Sequence, residues 1–159
     1  MLGLLALVAG GCGSGKSAST TTTSGPPDPA SAVGGHTIYE GTEWAVVVKG
    51  GRATALHLVG DSWQPDRSGR VKVVFLGPRG TVTPVFQMAA ELSARSPLVE
   101  SALWVDGVEL LEKGGGLTAT RGTIYGAPAR PLGRGRHVAV AYARTAKSAT
   151  AVARVFRVR

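Results

Sequence analysis

From His36 to Arg159 turn signals recur about every ten residues, and that spacing restricts what the chain can fold into. Apolar runs of this length suit strands and are too short for a set of packed helices. Most of the 23 glycines and 9 prolines fall between the runs, where they break helices and supply turn geometry. "TEWAVVVKGGRATALHLVG" is two apolar runs around Lys49-Gly50-Gly51-Arg52, which predicts a β-hairpin with glycines at positive φ. "GDSWQPDRSG" (60–69) reads as a polar loop, and "RVKVVFLGPRGT" as a strand closed by Gly77-Pro78. "TPVFQMAAELSARSP" admits a short helix, from its Ala, Glu and Leu, or a strand, from the alternation of Phe86, Met88, Ala90 and Leu92. Its strand-like neighbours favour the strand. "SALWVDGVELL" predicts two strands joined at Asp106-Gly107, and "LTATRGTIYGAP" a further pair around Arg121-Gly122. "GRHVAVAYA" and "TAVARVFRV" are β-rich runs joined by a polar turn at Arg144–Ser148.

The first of those last two runs is apolar on both faces. Val138, Val140 and Tyr142 alternate with His137, Ala139, Ala141 and Ala143. A strand buried on both sides needs cover for its second face. The N-terminal hairpin carrying Trp44 is the expected cover, in preference to a partner chain. The fold class predicted is an all-β antiparallel sandwich.

The leader "VAGGCGSGKS" (8–17) has two incompatible readings. Gly10–Ser17 satisfies G-x-x-x-x-G-K-[ST], a phosphate-cradling loop. Such a loop needs a helix starting at its Lys-Ser, but the chain continues as "SASTTTTSGPPDPASA", rich in β-branched residues and proline. The match is therefore read as coincidence. The other reading takes Leu2–Val8 as a short apolar segment, too short to span a bilayer, and Ala9-Gly10-Gly11 as the small residues before Cys12. This resembles the lipobox of bacterial lipoproteins. Two departures are Ala9, where Leu is usual, and the lack of Lys or Arg before the apolar run, which implies a start upstream of Met1. The resemblance implies removal of 1–11 as a signal segment and a diacylglycerol (a palmitate-type anchor) on Cys12, the one cysteine of the chain. Residues 12–35 are then expected to be the lipidated Cys and a disordered tether, roughly 80 Å at full extension.

A second resemblance rests on "SPLVESALWVDGVELL", "ARPLGRGRHVAVAYAR" and "ATAVARVFRVR". Their order and spacing resemble bacterial immunoglobulin-like domains of secreted and surface proteins. The match spans 70–159 and implies an immunoglobulin-like β-sandwich there, with 36–69 as an N-terminal hairpin region outside it. The resemblance also implies that His137 packs and hydrogen-bonds inside the sandwich. Arg144-Thr145-Ala146-Lys147-Ser148 replaces an acidic Gly-Asn turn, which removes any metal site there.

No catalytic constellation is legible. His36, His57 and His137 lack ligand spacing, so no metal or other cofactor is expected, and no G-x-S-x-G elbow occurs. Glu109 and Glu112 read as solvated charges. Charge is the one contrast. Nine of the eighteen Lys and Arg lie in 121–159 with no Asp or Glu, and they carry the formal net charge of +8. Arg130, Arg134 and Arg136 precede or open one strand, and Arg154 and Arg157 decorate the last; guanidinium forks suit phosphate and carboxylate. The competing reading pairs them with Asp106, Glu109 and Glu112. The functional expectation is a non-catalytic binding or scaffolding module, lipid-anchored at the extracytoplasmic face of the cell membrane. Its expected ligand is an anionic envelope polymer or headgroup. The alternative is an accessory subunit of an envelope enzyme or transporter that binds a partner protein. Nucleic acid is not expected, because aromatic interleaving is sparse.

Overall fold

The computed structural model describes residues 25–115 and 119–159. Strands β1 (His36–Glu40), β2 (Trp44–Lys49), β3 (Arg52–Val59) and β4 (Ser62–Pro65) form an antiparallel meander in that order. The expected hairpin is its central pair. Lys49 faces Arg52 across the two-residue turn, and Gly50 and Gly51 take φ of 57° and 78°. Such angles suit a tight turn that continues the twist of the flanking strands. The expected loop 60–69 is corrected in part. Gly60-Asp61 is itself a two-residue turn, so Ser62–Pro65 can pair with β3 and bury Trp63.

Nine further strands complete the chain: β5 (Val71–Gly77), β6 (Thr81–Val82), β7 (Met88–Ala94), β8 (Leu98–Val105), β9 (Val108–Glu109), β10 (Leu111–Gly115), β11 (Arg121–Ala127), β12 (Gly135–Thr145) and β13 (Ala149–Val158). They make two sheets, ordered β10-β11-β7-β5 and β6-β13-β12-β8-β9. Reading β5, β7, β8, β10, β11, β12 and β13 as strands A to G gives the two-sheet order of an immunoglobulin sandwich. The ambiguous segment is a strand, β7, because Met88, Ala90 and Leu92 all point into the core with no exposure. The pair expected around Arg121-Gly122 is also corrected. Both residues lie inside β11, opposite Ser93 and Leu92, and the other strand of the pair is β10.

Three apolar layers hold the molecule together. The sandwich core includes Phe75, Met88, Leu92, Leu103, Ile124 and Phe156. On the other side of the five-stranded sheet, Trp44, Val46 and Val48 of β2 pack against Trp104, Val140 and Tyr142. The two-faced strand, β12, therefore places Ala139, Ala141 and Ala143 in the first core and Val140 and Tyr142 in the second. Its cover is the N-terminal unit, as its sequence pattern demanded. Small alanines suit the face that meets large side chains from the opposite sheet.

The third layer lies on the outer face of the meander. Ala45, Val47, Leu56 and Trp63 are covered there by Ala30 and Val33 of α1 (Ala30–Val33). Trp63 Nε1 donates to the Pro27 carbonyl at 2.6 Å, the Asp28 carboxylate accepts from the Ala30 amide at 2.9 Å, and Lys49 Nζ donates to the Val33 carbonyl at 3.2 Å. The expected tether boundary at Gly35 falls inside this layer, since Pro27, Ala30 and Val33 pack on the meander. The reason is the unanticipated burial of Trp63, which needs both an apolar cover and an acceptor. Cys12 and the Gly10–Ser17 motif lie outside the described residues.

Candidate functional site

The site is built by strand register. β12 and β13 pair from Gly135↔Val158 to Arg144↔Ala149, which sets Arg136 directly opposite Arg157. The Arg157 amide donates to the Gly80 carbonyl at 2.9 Å, away from β12. The Arg136–Arg157 pair is therefore of the non-hydrogen-bonded kind, with Cα atoms about 4.5 Å apart and side chains at their closest. β6 pairs with β13 in parallel and brings Thr81 beside Arg157. Thr81, Arg157 and Arg136 thus form one row across three strands. All three are exposed and line a trough of about 470 Å³ with Gly80, Val155 and Phe156. The meander turn closes in from one side. A Cβ on Gly51 would stand 2.7 Å from Val155 Cγ2 and 3.6 Å from Arg136 Nη2, so only glycine lets the turn settle there.

Among the described residues two ion pairs form, His137 with Asp106 at 2.7 Å and Arg144 with Glu100. Neither involves the trough. Among the described residues, none of the five arginines forms an ion pair with Asp106 or Glu109. Asp106 is occupied by His137 Nδ1 and by the Val138 amide at 2.9 Å, and the Glu112 side chain lies outside the described residues. Of the five arginines singled out, the structure brings Arg136 and Arg157 together. Arg154 points to the opposite face, 5.2 Å over the Phe75 ring, and donates to the Pro78 carbonyl at 3.4 Å. Alternation along β13 makes this unavoidable, since residues 154 and 157 differ by an odd number. Arg134 is exposed ahead of β12 and does not line the trough.

Arg130 borders a different feature, an apolar groove of about 350 Å³ lined by Val105, Val108, Leu110, Ala127 and Leu132 among others. His137 lies beside Phe156, with ring centroids 5.6 Å apart, and its Nε2 meets the Gly133 carbonyl at 2.8 Å. His57 stacks on Trp44 at 4.2 Å, and His36 is exposed on β1. Among the described residues no group of three His, Cys, Asp or Glu could hold a metal, and no helix is long and apolar enough to cross a membrane.

Sequence reasoning missed a second polar cluster, where the meander meets the five-stranded sheet. Tyr39 Oη donates to Glu100 Oε1 at 2.6 Å, and Arg144 Nε donates to the other carboxylate oxygen. A cavity of about 320 Å³ opens beside them, bordered also by Glu43 and Trp44. Burial, and then the Glu100 hydrogen bond, push the Tyr39 phenol up to about 12. Burial pushes Tyr142 up as well, with the Glu100 charge adding to it. The Tyr142 hydroxyl and Trp44 Nε1 are buried without a hydrogen-bond partner among the described residues. Glu100 and Arg144 are 44 residues apart, so only the β8–β12 pairing could reveal them.

The sheets and their order define the class: an immunoglobulin-like β-sandwich, here extended by a β-meander. Two solved structures with a similar fold are regions of titin. Titin M4 has a TM-score of 0.39 and 13% identity over 57% of this chain and 94% of that chain. The titin Ig tandem A164–A165 has a TM-score of 0.35 and 5% identity over 76% of this chain and 75% of that one. No protein-family model matches the chain, and no curated protein is detectably similar to it in sequence.

Proposed function

We propose that this chain is a non-catalytic binding module, anchored by lipid on Cys12 at the extracytoplasmic face of a bacterial membrane, that docks on an anionic component of the envelope. The observation that carries the docking is the Arg136–Arg157 pair. Two guanidinium groups on directly opposed strands repel one another, and no carboxylate among the described residues forms an ion pair with either. An anionic partner relieves that repulsion and gains paired hydrogen bonds from each fork. The anchor rests on the leader residues Ala9–Cys12, and the docked Pro27 leaves 13–26 to link Cys12 to the fold.

Retention of the chain on envelope fractions tests the docking. Retention should fall with added salt and fall sharply when Arg136 and Arg157 both become Gln; unchanged retention in that double variant removes the reading. Metabolic labelling with a fatty acid tests the anchor, with label expected on the wild type and absent from Cys12→Ser. A second reading, an accessory subunit bound to a partner protein, draws on the apolar groove beside Arg130. It predicts recovery of one stoichiometric partner, insensitive to salt and lost on Val108→Asp.

A further inference from the structure

We infer that the row of Thr81, Arg157 and Arg136 is a site for a terminal phosphate, that is, a phosphate monoester or inorganic phosphate. This rests on the reading of that face as anion-binding and narrows it to one chemistry. The argument is a count of donors against acceptors. Neighbouring strands lie about 4.8 Å apart, so the three side chains rise from a strip roughly 10 Å wide. The long arginine stems let both guanidinium groups close over one point between them. Each guanidinium fork offers two parallel N–H groups, and the Thr81 hydroxyl adds another donor. A carboxylate has two oxygens with about four lone-pair sites, one fewer than these five donors. A phosphodiester also has only two terminal oxygens. A phosphate monoester has three terminal oxygens, with about six such sites, enough for both forks and the Thr81 hydroxyl.

The surroundings fit the same ligand. The carbonyl of Gly80, which lines the trough, is already engaged by the Arg157 amide and so repels an anion less. On the far side the Gly50-Gly51 turn presents no side chain, and Arg136 reaches to within 3.6 Å of where a Cβ would stand on Gly51. The half-exposed Val155 side chain gives the trough an apolar floor, which strengthens the charged contacts above it.

The test is calorimetric titration of the full chain with inorganic phosphate, glycerol 3-phosphate and dimethyl phosphate. Both monoester-type probes should bind, and dimethyl phosphate about tenfold or more weaker, as expected for loss of charge and of one charge-assisted hydrogen bond. Arg136→Gln and Arg157→Gln should each weaken inorganic phosphate about tenfold, and Thr81→Val about threefold. Arg95→Gln removes the same charge at the opposite end of the sandwich and should change binding less than about twofold, because salt screens that distance. Equal affinity for dimethyl phosphate overturns the inference. So does unchanged affinity in a folded Arg136→Gln/Arg157→Gln variant, or an equal loss in Arg95→Gln.

Vesicles separate the sources of the phosphate. Retention on phosphatidic acid but not on phosphatidylglycerol vesicles assigns a lipid headgroup; monoester binding without vesicle retention assigns a soluble or polymer-borne phosphate. Phosphate binding without retention on envelope fractions removes the proposed function and leaves this site standing. Envelope retention that depends on both arginines, with dimethyl phosphate competing as well as inorganic phosphate, does the reverse.

Discussion

His137 is held in a way that only one protonation state satisfies. Its Nδ1 lies 2.7 Å from an Asp106 oxygen and its Nε2 lies 2.8 Å from the Gly133 carbonyl, and both partners can only accept. Two donors are needed, which is the imidazolium. The Asp106 hydrogen bond raises the His137 pKa above 6.5, helped by Gly133 and opposed by burial. Arg154 on β13 points to the same side of the sheet. A folded pKa above the unfolded one means that this contribution to stability is complete below about pH 6.5 and is lost as pH rises through the raised value. Urea midpoints should therefore fall as pH rises above about 6.5 in the wild type and flatten in His137→Gln. Gly51 makes a separate prediction. At φ of 78°, and with Val155 Cγ2 2.7 Å from the would-be Cβ, Gly51→Ala should cost about 1–2 kcal/mol in urea unfolding. A loss below a few tenths of a kcal/mol would mean the turn can lift away without consequence.

At the level of single elements, legibility depended on how sharply a segment alternates. β12 could be read completely, both faces included, because valine and tyrosine stand against alanine at every second position. β4 was missed because the four residues from Ser62 to Pro65 carry too little periodicity, and Trp63 alone does not reveal burial. β11 was cut at Arg121-Gly122 because a glycine inside a strand looks the same in sequence as one in a turn. The Arg136–Arg157 pair was half legible. Both residues were singled out, but their meeting depends on a ten-position register that no local pattern specifies. β12 also carries a buried hydroxyl, on Tyr142, without a partner among the described residues. Tyr142→Phe removes that cost and keeps the ring, so thermal unfolding should show stability unchanged or raised by about 1 kcal/mol. Tyr142→Ala should lose about 3–5 kcal/mol, as for other large core truncations.

For the whole molecule, the meander completes the sandwich and is no appendage. Trp104, Val140 and Tyr142 face it, so a 70–159 fragment would expose a contiguous aromatic and aliphatic surface. Such a fragment should bind a hydrophobic dye and self-associate, whereas the full chain stays dispersed; light scattering distinguishes the two. The overall plan, an all-β sandwich with its second sheet face covered, was legible in turn spacing and one two-faced strand, and its immunoglobulin-like type in the resemblance of three segments. The three-layer depth was not, because α1 and the docking of Pro27 depend on contacts between segments 36 residues apart. That docking point has a mechanical consequence. In the proposed function, a pull between an anchor at Cys12 and a ligand in the arginine trough would enter through α1 and the meander and leave through β12 and β13. The contact between meander and sheet bears that load, and the core between the two sandwich sheets lies off the line of force.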